Sequence, residues 1–223
     1  MTAAQPEERA DGRPAIVFDF AGVLFRWHPP SMLRRVVPHL ARDEASAAHW
    51  VREIFQGYGG DWLAFDQGRV EVPDLVRRIA RRTGAAEADV QAVVDAVPHE
   101  LQPIGPTVDL VARLRAQGRT LFFLSNMPAP YSDHLERTHA FVRWFDDGVF
   151  SARVHEAKPD RAIFEIAAHR FGRPPQELVF LDDHVPNVDA ARALGWQAIH
   201  FVDAAQAGAE LEALGRAATP PSG

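Results

Sequence analysis

Three aspartates in this sequence directly follow apolar runs that are short enough to be strands. Asp19 follows the run 15–18, and Asp182 and Asp183 follow the run 178–181. In an open α/β sheet, ligands bind at the carboxyl ends of the strands, so the three carboxyl groups are expected to lie together at one edge. Oxygen ligands suit a hard cation such as Mg²⁺, which commonly joins one or two carboxylates to a phosphate. The pattern therefore predicts a magnesium site.

Two further polar features are expected at the same edge. Ser125 and Asn126 follow the apolar run 120–124 and offer a hydroxyl, an amide and turn N–H groups to the oxygens of an anion. Lys158 precedes a helical pattern, which would place it at the positive end of a helix, where anions are favoured. It is the only lysine among 24 lysines and arginines, and a compact ammonium suits neutralisation of a phosphoryl group. Each feature alone is also ordinary turn or capping chemistry, but their common placement favours a functional site.

The composition is that of an ordinary domain with a hydrophobic core. The 223 residues are 47% hydrophobic and 24% charged, and the formal charge of −6 argues against nucleic acid or an anionic membrane as the main partner. The chain has no cysteine, which excludes disulfides, thiolate ligands and cysteine nucleophiles. It shows neither a secretory hydrophobic segment nor a long apolar span. We therefore expect a cytoplasmic protein that acts on a small molecule, in an oligomeric state that the sequence leaves open.

The patterns divide the chain into a core and an inserted helical segment. Residues 28–98 show apolar residues at helical spacing only, and some seventy residues far exceed the dozen that a crossover needs. We expect an α/β core of residues 1–27 and 99–223, with a helical cap of residues 28–98 that excludes water from the strand ends. The first twelve residues and residues 219–223 are expected to be loose tails. The predicted core strands are 15–18, 120–124, 149–150, 178–181 and 198–201.

The order of these motifs resembles that of the haloacid dehalogenase-like (HAD) hydrolase superfamily, whose members are mostly phosphatases. The resemblance covers nearly the whole chain and implies a Rossmann-like parallel sheet in the order 5-4-1-2-3 with an α-helical cap of the C1 type. Within the superfamily, the chain is similar to sugar-phosphate phosphatases and to the N-terminal phosphatase domain of soluble epoxide hydrolase, whose fourth motif is also followed by an Asn, here Asn187. The matching residues are 19–23 for the first motif, Ser125 for the second, Lys158 for the third, and Asp182 and Asp183 for the fourth.

The resemblance implies Mg²⁺-dependent hydrolysis of a small phosphorylated metabolite. Asp19 would attack phosphorus and form an aspartyl phosphate, which water then hydrolyses. The implied metal ligands are Asp19, the backbone carbonyl of Ala21, and Asp183, with Asp182 nearby and acting partly through water. The groups implied to neutralise the phosphoryl oxygens are Ser125, the amide of Asn126, and Lys158.

Ala21 departs from the pattern of the superfamily's phosphatases. They usually carry a second aspartate at this position, which protonates the leaving group and later activates water. General acid–base catalysis contributes about 10²–10⁴ in rate. The sequence therefore leaves open a slow phosphatase, a specialist for activated leaving groups, or a substitute acid–base group. His28 and His184 are the nearest candidates for the substitute.

Two branches of the superfamily also tolerate the loss of this acid, and the sequence argues against both. Phosphonoacetaldehyde hydrolases need a lysine in the cap, and residues 28–98 contain none. Haloacid dehalogenases usually carry Tyr in place of Ala21, and Ser and Asn in place of much of the acidic motif at Asp182 and Asp183. The remaining alternative is a HAD-like protein that has lost turnover and binds a phosphorylated ligand or a partner protein.

Substrate selection is expected to reside in and near the cap. The candidate pocket-lining residues are Arg26, His28, Tyr58 and Trp62. Tryptophans exposed on the cap would instead indicate a surface for a partner. The sequence does not identify the substrate.

Overall fold

This computed structural model describes residues 13–217, except for the side chains of Tyr58, Arg216 and Ala217. Within these residues, five parallel strands form one sheet. Their order is β3-β2-β1-β4-β5, which confirms the expected order read from the opposite edge. The two expected tails lie outside the described residues. The strands are β1 (Ala15–Phe18), β2 (Leu121–Ser125), β3 (Asp147–Phe150), β4 (Leu178–Asp182) and β5 (Gln197–His200).

The stretch between β1 and β2 is helical, as the apolar spacing predicts. Its first five helices are α1 (Pro29–Val36), α2 (Glu44–Phe55), α3 (Gly60–Asp66), α4 (Val72–Thr83) and α5 (Glu87–Glu100), with a 3₁₀ turn at Gln56–Tyr58. These helices pack mainly on one another, while α5 also contacts residues 129–138 and α3 also contacts residues 151–154. The packing is compatible with a cap, whose boundaries at residues 28 and 98 remain a prediction.

The remaining helices cover the sheet and connect its strands. They are α6 (Gly105–Ala116), α7 (Ala129–Thr138), α8 (Ser151–Val154), α9 (Arg161–Phe171), α10 (Val185–Ala193) and α11 (Ala204–Ala217), with 3₁₀ turns at Ala140–Trp144 and Pro175–Glu177. No helix described between residues 13 and 217 combines the length and the apolar character that crossing a membrane requires.

Both faces of the sheet are buried, as unbroken apolar runs predict for parallel strands. In β1, Ala15 and Val17 belong to a cluster with residues of α9 and α10, whereas Ile16 and Phe18 belong to a cluster with residues of α6 and α11. This alternation follows from the period of two along a strand. The second cluster continues into α1–α5, so the helical segment and the sheet share apolar contacts.

The strand ends differ slightly from the predicted ones. Ser125 and Asp182 are the last residues of β2 and β4 rather than the first residues after them. Strand β3 begins at Asp147. The apolar pattern predicted a start at residue 149, because Gly148 interrupts it. A Cβ at Gly148 would lie 2.1 Å from the ring of Phe123 on the neighbouring strand, so the close approach of β3 and β2 requires glycine there.

We predict that Phe164→Ala lowers the free energy of unfolding by about 3–5 kcal/mol, because it leaves a cavity in the core. Phe164 is fully buried, and its ring centroid lies 5.8 Å from that of Phe180 and 5.6 Å from that of Trp196. Urea unfolding would measure the change. The control is Val202→Ala, at a side chain that is 69% exposed, where a change within about 0.5 kcal/mol is expected. Equal effects of the two substitutions would contradict the described packing.

Candidate active site

The predicted site residues converge at the carboxyl edge of the sheet. Asp19 directly follows β1, and its N–H donates to the carbonyl of Leu181 at 2.9 Å, which aligns it with the end of β4. Asp182 ends β4, and Asp183 follows it. Asp19, Asp182 and Asp183 each offer a carboxylate oxygen, and these three oxygens lie within 4.8 Å of one another. The structure therefore brings together the three carboxyl groups that the sequence analysis singled out.

Lys158 lies between two of these carboxylates. Its Nζ is 2.8 Å from Oδ1 of Asp19 and 2.7 Å from Oδ2 of Asp182, and its side chain is only 1% exposed. A buried ammonium is costly unless it is paired and hydrogen-bonded. Although burial opposes the charge of Lys158, the Asp182 and Asp19 carboxylates raise its pKa above the usual value. Lys158 is therefore a fixed cation beside the predicted nucleophile.

Groups other than Lys158 also hold the Asp182 carboxylate. Its Oδ1 accepts from the peptide N–H of His184 at 2.8 Å, and Nδ2 of Asn187 lies 3.1 Å from Oδ1 and 3.0 Å from Oδ2. These contacts hold the Asp182 carboxylate in place beside Lys158. Asp183 is more exposed than Asp182 and lines the neighbouring cavity.

The side chain of Asn126 holds the backbone of Lys158. Its Nδ2 donates to the Lys158 carbonyl at 2.9 Å, and the Lys158 N–H donates to its Oδ1 at 2.8 Å. Both polar atoms of the Asn126 side chain are therefore already hydrogen-bonded to the Lys158 backbone. Contact between the amide of Asn126 and a phosphate stays a prediction. Ser125 differs, since its buried hydroxyl has no hydrogen-bond partner among the described residues. An unpaired buried polar group costs about 1–3 kcal/mol, and a phosphate oxygen would satisfy it.

The electrostatics of the three carboxyl groups favour a cation. Burial raises the pKa of Asp19 to about 7; Lys158 opposes this rise, while Asp182 and Asp183 add to it. A divalent cation would offset the mutual repulsion of these groups, and oxygen-only donors suit Mg²⁺. The clustered oxygens of Asp19, Asp182 and Asp183 fit such an ion, and Ala21 lines the same cavity as Asp19 and Asp183.

A cavity of about 290 Å³ opens from the carboxylates toward the helical segment. Its polar lining comprises Asp19, Arg52, Asp66, Asn126, Tyr131, Lys158, Asp183 and Asn187. Its apolar lining comprises Ala21, Trp27, Pro29, Val51, Phe55, Trp62, Val97, Leu101, Met127 and Pro128, and Gly57 completes it. The walls supplied by the helical segment are thus mainly apolar and aromatic.

The four candidate pocket residues differ in whether they line the cavity. Trp62 lines the cavity and is buried. Arg26 and His28 are exposed and are not among the described lining residues. His28 instead caps α1, where its Nδ1 accepts from the N–H of Ser31 at 3.4 Å. The side chain of Tyr58 lies outside the described part of the chain.

The tryptophans within the helical segment and the adjacent Trp27 do not form an exposed patch. Trp27 and Trp50 are partly buried and pack against the main hydrophobic cluster, to which Trp62 belongs. They give no support to a partner surface on this part of the protein.

Sequence reasoning missed Asp66, which ends α3 and lines the cavity. Its side chain is buried, and burial raises its pKa to about 8, while Lys158 lowers the pKa and Asp19 raises it further. A signal was present, because Asp66 lies four residues after Trp62 and therefore on the apolar face of the helix. His184, the other candidate base beside His28, is not among the described lining residues.

Comparison with known proteins gives concordant matches. The model of the haloacid dehalogenase-like hydrolases matches residues 14–195. The chain is 26% identical to a sesquiterpene phosphatase of Aspergillus oryzae over 200 residues, 90% of this chain and 95% of the relative. It is 27% identical to an (S)-2-haloacid dehalogenase of Pseudomonas putida over 192 residues, 81% of each chain. A solved HAD family enzyme of Bacteroides thetaiotaomicron, in complex with magnesium and inorganic phosphate, shares the fold with a TM-score of 0.66 at 22% identity, covering 84% of this chain and 93% of that chain.

We predict that Gly22→Ala weakens Mg²⁺ binding roughly 10- to 100-fold, as changes next to metal ligands typically do. A Cβ at Gly22 would lie 2.2 Å from Oδ2 of Asp183 and would displace this carboxylate. Isothermal titration calorimetry with MgCl₂ would measure the affinity.

Gly84→Ala is the matched control. Gly22 and Gly84 both have positive φ, at +83° and +77°, but a Cβ at Gly84 would meet nothing within 4 Å. Both substitutions should lower the free energy of unfolding by about 1–2 kcal/mol through backbone strain, and only Gly22→Ala should lose Mg²⁺ affinity. Unchanged affinity in Gly22→Ala would show that Asp183 does not hold the ion.

Proposed function

Because the chain belongs to the haloacid dehalogenase-like hydrolases, whose family model matches residues 14–195, we propose that it is a Mg²⁺-dependent phosphatase that acts through an aspartyl phosphate on Asp19. The observation that carries this proposal is the ion pair of Lys158 with Asp19 beside two further carboxyl groups. This arrangement offers a nucleophile, a fixed cation and an oxygen-ligand set for a metal at one point of the sheet edge.

Each group has a distinct role in the proposed reaction. A carboxylate oxygen of Asp19 attacks phosphorus in line, the bond to the ester oxygen breaks, and the alcohol leaves. Lys158 favours the ionised form of Asp19 and neutralises a phosphoryl oxygen, while the Ser125 hydroxyl donates to another. Water then attacks the aspartyl phosphate, which releases inorganic phosphate and restores Asp19.

The residues proposed to hold Mg²⁺ are Asp19, the carbonyl of Ala21, and Asp183, with Asp182 close by. When bound, the ion would supply positive charge that offsets the negative charges of the carboxylates and the phosphate. Without such a charge, the three carboxyl groups would repel a dianionic ester more strongly than the single ammonium of Lys158 attracts it.

A phosphate ester accounts for the cluster of carboxyl groups better than a haloacid does. Asp19, Asp182 and Asp183 form an oxygen-ligand set suited to a metal ion, and hydrolysis of a haloacid by Asp19 would leave this set without a role. Dehalogenation therefore remains an outcome that the activity assay must exclude.

The organic part of the ester is proposed to be bulky and apolar. Among the described residues that the helical segment contributes to the cavity, the polar side chains are those of Arg52 and Asp66, and the others are apolar. Sugar hydroxyls would lose their hydrogen bonds to water in such surroundings without replacing them. A relative that spans the same length of chain is named a sesquiterpene phosphatase, which agrees with an isoprenoid-like or other long apolar alcohol.

We predict Mg²⁺-dependent phosphate release from an isoprenyl monophosphate, abolished by Asp19→Asn, because the amide is a much poorer nucleophile. A loss of about 10⁴ or more is expected for a nucleophile. The control is Asp189→Asn, at an exposed aspartate of α10. Phosphate release by Asp19→Asn at the parent rate would contradict the mechanism, and halide release from a 2-haloacid without phosphate release would identify a dehalogenase.

We further predict that Trp62→Ala lowers kcat/KM for the isoprenyl ester about tenfold or more, while kcat/KM for methyl phosphate changes little. Burial of a large apolar group contributes about 1.5–3 kcal/mol, and 1.4 kcal/mol corresponds to a factor of ten. The control Trp50→Ala removes a tryptophan of the same helical segment that is not among the described lining residues. Equal losses for both esters would show that Trp62 supports the fold rather than the apolar chain.

A further inference from the structure

The proposed phosphatase lacks an obvious proton donor for its leaving group. An alkoxide is a poor leaving group, so the ester oxygen must receive a proton as its bond to phosphorus breaks. Ala21 cannot provide one. The two histidines considered from the sequence are not among the described residues that line the cavity, and His28 is occupied in capping α1. The donor must be sought among the groups that face the ester.

Most ionisable groups of the cavity are already committed. Asp19 is the nucleophile, Lys158 is paired with two carboxylates, and Asp183 belongs to the proposed metal site. The Tyr131 hydroxyl donates to the carbonyl of Val94 at 2.8 Å, and burial raises the pKa of Tyr131 well above its usual value. Arg52, the remaining cation, does not release its proton at neutral pH. Asp66 is then the described acid of the cavity that has no other role.

The backbone around Asp66 is fixed to the core, although α3 belongs to the helical segment. The Asp66 carbonyl accepts from the hydroxyl of Ser151, and this hydroxyl accepts from the N–H of Met127 at 2.8 Å, directly beyond Asn126. One residue further, the carbonyl of Gln67 lies 2.9 Å from Nδ1 of His155. These contacts join the end of α3 to α8 and to the loop after β2, so the backbone at Asp66 is anchored to the core beside the cavity that Asp19 also lines.

The turn after α3 lies close to the backbone of α8 and requires glycine at position 68. A Cβ at Gly68 would lie 2.7 Å from the carbonyl oxygen of Ala152, and φ of Gly68 is +65°. Glycine therefore lets the chain turn directly against α8, two residues after Asp66.

The surroundings of the Asp66 carboxyl favour its protonated form. It is buried, no hydrogen bond from a described residue is among the influences on its pKa, and burial raises that pKa to about 8. The ionisable groups around it are Asp19, Lys158, Tyr131 and, on the same cavity wall, Arg52. A carboxylic acid that keeps its proton near neutral pH is suited to general acid catalysis.

We propose that Asp66 is the general acid and base of this site, in place of the acid that Ala21 lacks. As Asp19 takes the phosphoryl group, the electron pair of the broken bond stays on the ester oxygen, which receives the proton of Asp66 and leaves as the alcohol. The Asp66 carboxylate then accepts a proton from the water that attacks the aspartyl phosphate. The bond to Asp19 breaks, inorganic phosphate leaves, and Asp66 is protonated again. This assignment rests on the proposed phosphatase function.

The test compares two esters in Asp66→Asn. For an isoprenyl phosphate, whose alcohol needs a proton, kcat/KM should fall about 10²- to 10⁴-fold. For p-nitrophenyl phosphate, whose phenolate leaves unaided, phosphorylation of Asp19 should continue at nearly the parent rate. Hydrolysis of the aspartyl phosphate should be slow, so rapid mixing should show a burst of one nitrophenolate per active site followed by slow turnover.

Two further variants separate catalysis from structure. Asp61→Asn lies on the same helix α3, where Asp61 pairs with Arg82, and should behave as the parent with both esters. In the double variant Asp66→Asn/Ala21→Asp, the added carboxylate should restore turnover of the isoprenyl ester at least tenfold over Asp66→Asn. Such rescue would not occur if Asp66 served only to stabilise the fold.

Two results would overturn the assignment. Equal loss of the first turnover with both esters, without rescue by Ala21→Asp, would make Asp66 a structural residue. Parent-like turnover of the isoprenyl ester by Asp66→Asn would show that another group supplies the proton. Failure of the proposed function would give a different result, because the parent protein itself would then release no phosphate from either ester. That result would also overturn the role proposed for Asp66.

Discussion

The buried ion pairs of Lys158 are the interaction on which the site depends. An ammonium taken out of water is tolerated only with close partners of opposite charge, and here Asp19 and Asp182 lie 2.8 Å and 2.7 Å away. The partners come from the ends of β1 and β4, two adjacent parallel strands. Asn126, just beyond the end of β2, fixes the backbone of Lys158. Three strand ends and one loop thus meet at a single charge, and the sheet order decides which residues meet there.

This arrangement leaves an excess of negative charge, which links the fold to its chemistry. Lys158 contacts two of the three clustered carboxyl groups, and Asp183 stands outside these pairs. Burial, together with the smaller effect of this repulsion, raises the pKa of Asp19 to about 7, and either protonation or a cation relieves the repulsion. A bound cation would lower the pKa of Asp19 and keep the nucleophile ionised. In the proposed mechanism, Asp19 therefore contributes to the negative charge that favours a metal ion and also needs that ion to stay ionised for its attack.

The sequence predicted the sheet edge well, because apolar runs followed by polar residues are local signals. The strand order and the meeting of Asp19, Lys158 and Asp182 came from motif order and the resemblance. The role of the Asn126 side chain could not be predicted, since an amide after a strand can bind a ligand or a backbone, and its partner lies 32 residues away. Asp66 was missed for a related reason: its orientation depends on how α3 docks against α8.

The apolar cavity connects substrate choice to acid catalysis. In the proposed mechanism, the nucleophile Asp19 must be ionised while the general acid Asp66 must hold its proton, although both are aspartates. The chain separates them by surroundings, since Lys158 directly contacts Asp19, whereas Asp66 lies beside Trp62 and Phe65 on an otherwise apolar helix end. Walls that hold a long apolar alcohol also exclude water from Asp66, and exclusion of water keeps its pKa high. A polar cavity suited to a sugar would weaken both effects, so the proposed substrate class and the proposed acid support each other.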